Sequence, residues 1–483
     1  MQTTMTEESL KEKTKKGLFW QFFGQFSIYG MQFIIGIILA RILSPTDYGT
    51  IALPTVFMTL AQIFVDSGFT QALIRKKDLS ESDLSTSFYY SFCVGLFMYL
   101  CLFLAAPYIA DLYEKPILTK LLRITAITFF WTPLNTPQNV ILKKKLDFKT
   151  PARISIINQI VSGILGISAA YAGFGMWALV IMSLTSSVLL FVQTWIAVKW
   201  LPSKKFSKDS FKYLWNYGNK IIGVNLLNAL CSNLFPLLIG KFYSIREIGI
   251  YKKASGYASL PSSNLTGVLN NVTFPVLSKI QDDKEKFAYI YRRMIRVSSF
   301  LVFPLMMLLC ALAEPLIVCL ITDKWIDCVV ILQIMCFTYM FQPVHSMNVN
   351  LLLIVGRTDL SLKINIIGNI ISIVLILIAV RYSLVVLCIV DFFITMITLV
   401  INTYYTGKII KVGYIRQVKD LLPSFVMSIM MMIIVVIVIN FIESKVLQIL
   451  VGGTVGICLY YLLARIFKFS EIEEIRYLIS RKK

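Results

Sequence analysis

Charged, titratable and metal-binding residues are scarce in this chain of 483 residues. Only 15% of the residues are charged, against about 25% in an ordinary soluble domain. His345 is the single histidine, and none of the nine cysteines forms a CxxC motif. One histidine cannot by itself supply a catalytic triad or a metal site, and cysteines within apolar runs are typical of small buried residues. We therefore expect neither an enzyme nor a bound metal or cofactor.

Long apolar runs are what the sequence has instead. The chain is 57% hydrophobic with a mean hydropathy of +0.73, and about 20 apolar residues suffice to cross a bilayer as a helix. This pattern predicts an all-α polytopic membrane protein with about 14 transmembrane helices. The predicted spans are 17–40, 49–70, 88–110, 117–140, 154–172, 176–198, 215–240, 254–275, 297–321, 328–355, 361–380, 384–406, 421–442 and 446–467.

The net charge of +21 could indicate nucleic-acid binding, but the placement of the basic residues argues against it. Most lysines and arginines precede the first span, follow an even-numbered span or lie in the C-terminal tail. This is the positive-inside pattern of membrane proteins. It predicts that both termini are cytoplasmic. Nucleic-acid binding is not expected, because the sequence has no basic patch interleaved with aromatic residues.

Two stretches 200 residues apart resemble each other: ARILSPTDYG at 40–49 and GKFYSIREIG at 240–249. Later matches follow in the same order, with the offset drifting slowly. We therefore predict two six-helix lobes related by a pseudo-two-fold axis along the membrane normal, with two extra C-terminal helices. The predicted segments are a cytoplasmic N-terminal segment (1–16), an N-lobe (17–200), a cytoplasmic linker (201–212), a C-lobe (213–407), spans 13 and 14 (408–467) and a cytoplasmic tail (468–483).

Polar residues recur at helical spacing in the first two spans of each repeat. In span 1 the three glutamines fall within about 40° of one another on a helix, and spans 2, 7 and 8 carry similar stripes. Such stripes either line a shared hydrated cavity or hold helices together by hydrogen bonds; the match between repeats favours a cavity. The predicted lining residues are Gln21, Gln25, Gln32, Thr59, Gln62, Asn225, Asn228, Ser232, Ser263, Thr266 and Asn270.

Ionisable residues at membrane depth are costly and often functional. Basic residues near the ends of spans are either interfacial side chains that reach for water or ligands for an anionic headgroup. Asp66 and Asp391 are the candidates for binding a coupling ion, although Asp66 also suits a helix end. The headgroup candidates are Arg41, Lys241, Lys252, Lys253, Arg292 and Arg293.

Several motifs along residues 15–410 resemble those of a known family. They are LARILSPTDYG, FVDSGFTQALIRKKDLSESDLSTSF, APYIADLYEKP, LKKKLDFK, YAGFGMWALV, IGKFYS, PSSNLT and FPVLSKIQDD. In these motifs the chain resembles the polysaccharide-export (Wzx-type) flippases of the MOP superfamily, which have a MATE-like fold. One departure concerns span 1, which has no charged residue between Gly17 and Arg41, whereas relatives that flip the peptidoglycan precursor carry arginine there.

The resemblance implies flipping of undecaprenyl-pyrophosphate-linked oligosaccharide across the bacterial cytoplasmic membrane by alternating access, for O-antigen, capsule or exopolysaccharide synthesis. We also expect a monomer in the lipid bilayer, with a polymerase and chain-length proteins of the same pathway as partners. Three energy sources stay open: a proton gradient, a sodium gradient and downstream polymerisation. Two alternatives stay open: a multidrug or cation antiporter of the same superfamily, and a membrane polysaccharide polymerase. The few acidic residues at depth argue against the antiporter, and the short outer loops argue against a catalytic polymerase.

Overall fold

A computed structural model of the protein describes residues 7–66, 68–76, 78–203, 205–469 and 471–472. Within these residues every regular element is a helix, and three of the helices are short 3-10 turns. The chain is therefore an all-α polytopic membrane protein, as the sequence predicted. Its α-helices are α1 (Glu7–Ile42), α2 (Pro45–Asp66), α3 (Phe69–Arg75), α4 (Glu81–Leu112), α5 (Ile117–Thr125), α6 (Thr136–Lys144), α7 (Lys149–Tyr171), α8 (Trp177–Val198), α9 (Lys208–Ser232), α10 (Leu234–Phe242), α11 (Ile245–Ser278), α12 (Lys284–Ala311), α13 (Ala313–Ile321), α14 (Cys328–Met340), α15 (Gln342–Ile354), α16 (Thr358–Ala379), α17 (Leu384–Ile410), α18 (Tyr414–Asn440) and α19 (Lys445–Ile466).

Twelve helical segments of the described chain are long and apolar enough to cross a membrane. They coincide with predicted spans 1–6 and 9–14. Predicted spans 7 and 8 correspond to α9–α10 and α11, which are helical but are not among the twelve. The total of 14 transmembrane helices therefore stays a prediction.

Predicted spans 4, 7 and 10 are among the spans that form broken helices. Span 4 is interrupted by two 3-10 turns at Ala126–Phe130 and Thr132–Asn135, span 7 breaks at Asn233 and span 10 breaks at Phe341. A proline lies at or just after each break. Proline lacks the N–H that a continuing helix needs, and its ring clashes with the carbonyl of the preceding turn, so each span is divided there.

The helices pack into two compact units, Met1–Gly249 and Ile250–Lys483. In the first unit, α9 packs on α2, α3 and α4, and α10 packs on α2. In the second unit, the most extensive helix pair is α12 with α18. One face of α18 is therefore buried, while Ile433 and Ile437 on another face are exposed. The lobe boundaries and the two-fold symmetry inferred from the repeat stay predictions.

The two repeated stretches fold in the same way at their matched positions. The Ser44 hydroxyl accepts a bond from the Asp47 backbone N–H at 3.2 Å, and an Asp47 carboxylate oxygen accepts from the Ser44 N–H at 2.9 Å. Ser244 and Glu247 form the same pair of bonds at 3.2 and 2.9 Å. Each pair is a capping box, which satisfies free N–H groups at a helix start. The matched residues therefore begin α2 and α11 by one mechanism.

Two matched glycines let α2 and the first turn of α11 approach backbone to backbone inside the first unit. A Cβ added to Gly49 would lie 1.8 Å from the carbonyl oxygen of Ile245. A Cβ added to Gly249 would lie 1.9 Å from the carbonyl oxygen of Pro45. The contact is reciprocal, and neither position has room for a side chain. Small residues commonly permit such close crossings of membrane helices.

Replacing Gly49 with alanine should separate this crossing and lower stability. Forcing extra atoms into a packed contact costs about 1–3 kcal/mol, so we expect a melting temperature several degrees lower for Gly49→Ala in detergent. Gly256→Ala is the control, because a Cβ at Gly256 meets nothing within 4 Å. Equal melting temperatures for the two variants would contradict the close crossing.

Candidate functional site

The predicted stripe on α1 is exposed where the structure describes it. Gln25 and Gln32 are both exposed and lie on one face of the helix. The neighbouring face exposes Phe26 and Phe33 instead. The side chain of Gln21 lies outside the described part of the chain. The helix thus presents an amide stripe and an aromatic stripe side by side, about 100° apart.

The stripe on α2 brings two predicted site residues together. The Gln62 amide nitrogen donates to the Asp66 carboxylate at 2.8 Å. Asp66 is the last residue of α2, and Gly68 follows it with a φ of +67°. Thr59 is exposed, and its hydroxyl donates to the Thr55 carbonyl oxygen at 2.8 Å. Asp66 therefore ends the helix and keeps an exposed carboxylate held by Gln62.

The stripe on α9 is described at one position only. Asn225 is exposed, whereas the side chains of Asn228 and Ser232 lie outside the described part of the chain. Gln25 on α1 and Asn225 on α9 occupy matching positions of the sequence repeat. Both are exposed amides of the first unit.

The stripe on α11 faces α15 rather than open space along part of its length. The Asn270 amide nitrogen donates to the Ser346 hydroxyl at 2.8 Å, and the Asn270 oxygen accepts from Asn350 at 2.9 Å. Ser263 is exposed and donates to Gln342 at 3.3 Å. These bonds hold α11 to α15 through polar side chains, which is the alternative role that the sequence left open.

Thr266 is buried in this conformation, and its role in lining a cavity stays a prediction. Its side chain is 6% exposed, and its hydroxyl donates to the Ser262 carbonyl oxygen at 2.7 Å. The one-turn spacing on α11 placed it on the stripe, but the packing of the second unit covers it. The partners on α15 were missed, although Gln342, Ser346 and Asn350 recur every four residues and could have been found by that spacing.

Arg41 and Lys241, the basic candidates at the end of the first span of each repeat, differ in their surroundings. Arg41 is exposed in the last turn of α1. Lys241 in α10 donates to the Leu112 carbonyl oxygen at 2.6 Å, and its ammonium lies 3.6 Å from the Glu114 carboxylate. Lys241 therefore connects α10 to the end of α4. Arg41, which matches Lys241 in the repeat, is exposed at the end of α1.

Two adjacent lysines of α11 are half-buried in the second unit. The Lys253 ammonium lies 5.5 Å from the centroid of the Tyr257 ring and 5.7 Å from that of Trp325. Aromatic faces attract cations at such distances. Lys252 is likewise half-buried. Both remain candidates for contacting an anion.

Arg292 is already paired within the protein, and its role as a headgroup ligand stays a prediction. Its guanidinium donates two bonds of 2.7 Å to the Asp420 carboxylate, which is buried on α18. Arg296 lies 3.8 Å from Asp420 and 3.1 Å from Glu471. Arg293 is half-buried on the same turn of α12. The cluster neutralises Arg292 and clamps α12 to α18.

The remaining titratable candidates lie in the second unit. Asp391 is half-buried on α17, where its backbone carbonyl accepts the Thr395 hydroxyl at 3.0 Å. The Asn402 amide nitrogen donates to His345 Nδ1 at 2.9 Å, which joins α15 to α17. In the described part of the chain, no three His, Cys, Asp or Glu side chains group in a way that could hold a metal ion.

Residues 38–330 match the family described as "Polysaccharide biosynthesis protein". The chain belongs to that family. Among curated proteins, this polysaccharide biosynthesis protein is 26% identical over 356 residues to teichuronic acid biosynthesis protein TuaB of Bacillus subtilis (strain 168), covering 73% of this chain and 74% of TuaB. It is 25% identical over 361 residues to lipopolysaccharide biosynthesis protein WzxC of Escherichia coli (strain K12), covering 74% of this chain and 73% of WzxC.

The fold of this polysaccharide biosynthesis protein is that of a solved flippase. The structure of lipid II flippase MurJ in an inward closed conformation superposes with a TM-score of 0.77, covering 92% of this chain and 98% of MurJ. The two sequences are only 18% identical. The similarity therefore shows a shared helical architecture.

Asparagine in place of Asp420 should destabilise the second unit. Hydrogen bonds to charged groups contribute about 1.5–3 kcal/mol, so Asp420→Asn should lower the melting temperature by several degrees, measured by tryptophan fluorescence in detergent. Asp359→Asn is the matched control, since it removes the exposed Arg357–Asp359 pair, and exposed pairs contribute little. A melting temperature unchanged by Asp420→Asn would show that the cluster is not a clamp.

Proposed function

We propose that this protein flips a polyprenyl-diphosphate-linked oligosaccharide from the cytoplasmic to the outer leaflet of the bacterial cytoplasmic membrane, for surface polysaccharide synthesis. The observation that supports it most is the family match over residues 38–330 on a chain with the fold of a lipid-linked sugar flippase over 92% of its length. The relatives WzxC and TuaB carry names from lipopolysaccharide and teichuronic acid biosynthesis. The lipid-linked oligosaccharide substrate and the outward direction of transfer are our inference.

The physical problem of such transport is the headgroup. Moving an isolated ionised group into hydrocarbon costs on the order of tens of kcal/mol, so the diphosphate and sugars need a polar route. Exposed amides such as Gln25, Gln32 and Asn225 both donate and accept hydrogen bonds, which suits sugar hydroxyls. Arg41, Lys252 and Lys253 provide positive charge for the diphosphate. The apolar isoprenoid tail stays in lipid throughout.

We also infer that both termini are cytoplasmic and that an ion gradient drives transport. The distribution of lysine and arginine supports cytoplasmic termini. Asp66, held by Gln62 at 2.8 Å, and Asp391 are the carboxylates we assign to a coupling proton or sodium ion. Turnover requires that the protein favour neither facing state by much, because a strongly preferred state would stall the cycle. We expect a monomer that passes its product to a polymerase and chain-length proteins.

Reconstitution tests the proposal directly. The purified protein in vesicles should accelerate transfer of a fluorescent polyprenyl-diphosphate sugar to the opposite leaflet, measured by its accessibility to an impermeant quencher. Protein-free vesicles set the background rate. Absence of any acceleration, together with efflux of organic cations by the same preparation, would replace the flippase by a cation antiporter.

The amide stripe of α1 should be required for this transfer. Replacing Gln25 and Gln32 together by leucine removes two hydrogen-bonding side chains, each contributing about 0.5–1.5 kcal/mol, so we expect flipping slower by about tenfold at equal expression. The matched control is Phe26→Leu, which alters the exposed aromatic face of the same helix. Equal rates for the double variant and the control would remove the stripe from the transport route.

A further inference from the structure

A pocket of about 380 Å³ lies within the first unit, and none of its lining residues belongs to the polar stripes. It is lined by Arg75 and Lys76 at the end of α3, and by Tyr213, Asn216 and Tyr217 on α9. Its volume falls within the range of small-ligand sites. The three residues of α9 follow the spacing i, i+3 and i+4, so they share one face of that helix.

A buried apolar cluster fixes the two walls of this pocket. Phe69 and Leu73 of α3 and Leu214 of α9 are all fully buried. The Phe69 ring stacks on Tyr90 with centroids 4.3 Å apart and meets Phe211 edge-on at 6.5 Å. Because α3 and α9 share this core, the residues at the pocket rim are held at fixed separation.

The segment before α9 is bound to the first turns of α4. The backbone N–H of Ser203 donates to the Ser85 hydroxyl at 2.9 Å, and that of Ser207 donates to the Thr86 hydroxyl at 3.0 Å. These bonds explain why serine and threonine lie buried at the start of a membrane helix. They also fix the start of α9, and a site formed in advance loses less entropy when a ligand binds.

The pocket carries positive charge over aromatic rings. The Arg75 guanidinium lies 5.4 Å from the Tyr217 ring centroid, and the Lys76 ammonium lies 5.5 Å from that of Tyr213. The five lining residues include two cations and no carboxylate. Lys76 is partly neutralised by the buried Asp83 at 2.7 Å, whereas the Lys144 ammonium donates to the Lys76 carbonyl oxygen and adds charge beside it. The arrangement suits an anion that also has an apolar or sugar face.

The position of the pocket along the chain indicates its depth. It lies where α3 ends and α9 begins, next to the start of α4. The positive-inside distribution assigns these segments to the cytoplasmic surface. The pocket is therefore at the level of lipid headgroups in the leaflet where a flippase of the proposed direction receives its substrate.

We propose that this pocket binds the sugar diphosphate headgroup of the transported lipid before transfer, an inference that rests on the proposed function. Arg75 and Lys76 contact the diphosphate, because charge-assisted bonds to phosphate oxygens are strong. Tyr213 and Tyr217 present ring faces for the apolar side of the first sugar, and the Asn216 amide bonds its hydroxyls. Phosphate diesters of ordinary anionic lipids share part of this chemistry, so the test has to separate the two.

The experiment measures lipid binding to the full-length protein in phosphatidylcholine nanodiscs. The probes are a polyprenyl-diphosphate disaccharide, the polyprenyl diphosphate without sugar and phosphatidylglycerol, each at equal mole fraction. We expect the disaccharide lipid to bind most tightly. Arg75→Gln should weaken its binding at least tenfold, and adding Tyr217→Leu should remove the preference for the sugar. Lys212→Gln is the control, since it removes a charge from the same turn of α9 outside the pocket and should change affinity less than twofold.

The outcomes separate the pocket from the proposed function. Unchanged binding of the disaccharide lipid by Arg75→Gln would overturn the pocket assignment even if the protein flips that lipid. Equal binding of phosphatidylglycerol would overturn it in favour of a site for structural anionic lipid. A wild-type protein that binds the disaccharide lipid through Arg75 but never flips it would support the pocket and contradict the flippase.

Discussion

Hydrocarbon surroundings make each unpartnered polar group costly, and this constraint organises the whole protein. Several polar side chains in the described spans bond to one another inside the bundle. In the second unit, Asn348 and Gln417 exchange two amide bonds of 3.0 Å, and the Thr406 hydroxyl donates to the same Asn348 oxygen at 2.7 Å. Such fully bonded groups hold helices together. Polar groups that stay exposed, such as Gln25 and Gln32, therefore stand out as candidates for contact with water or substrate.

The distinction between bonded and exposed polar groups changes the predicted site. Asn270 and Thr266 belong to the bonded class, and Arg292 is neutralised by Asp420. Among the predicted lining residues whose side chains are described, the exposed ones are Gln25, Gln32, Thr59 and Asn225 in the first unit and Ser263 in the second. The basic pocket at Arg75 adds a second polar feature to the first unit.

The features that could be predicted from the sequence are those that depend on residues close together in the chain. The apolar runs predicted the helices. The repeated stretches around Ser44 and Ser244 fold alike, as capping boxes built from residues three apart, although the predicted spans began four to nine residues later. The partner of Arg292 could not be predicted, because Asp420 is 128 residues away and tertiary packing alone joins them. Burial of Thr266 was missed for the same reason: helical periodicity gives a face but not what covers it.

The proposed transport route depends most directly on contact between the amide stripe of α1 and water. Single cysteines at Gln25, Gln32 and Phe26, introduced into a protein whose nine native cysteines are replaced, measure this in intact membranes through reaction with a small membrane-impermeant maleimide. We expect rapid labelling of Gln25→Cys and Gln32→Cys and slow labelling of Phe26→Cys. Labelling of the two glutamine positions by lipid-soluble reagents alone would place them against acyl chains and contradict the proposed contact with water.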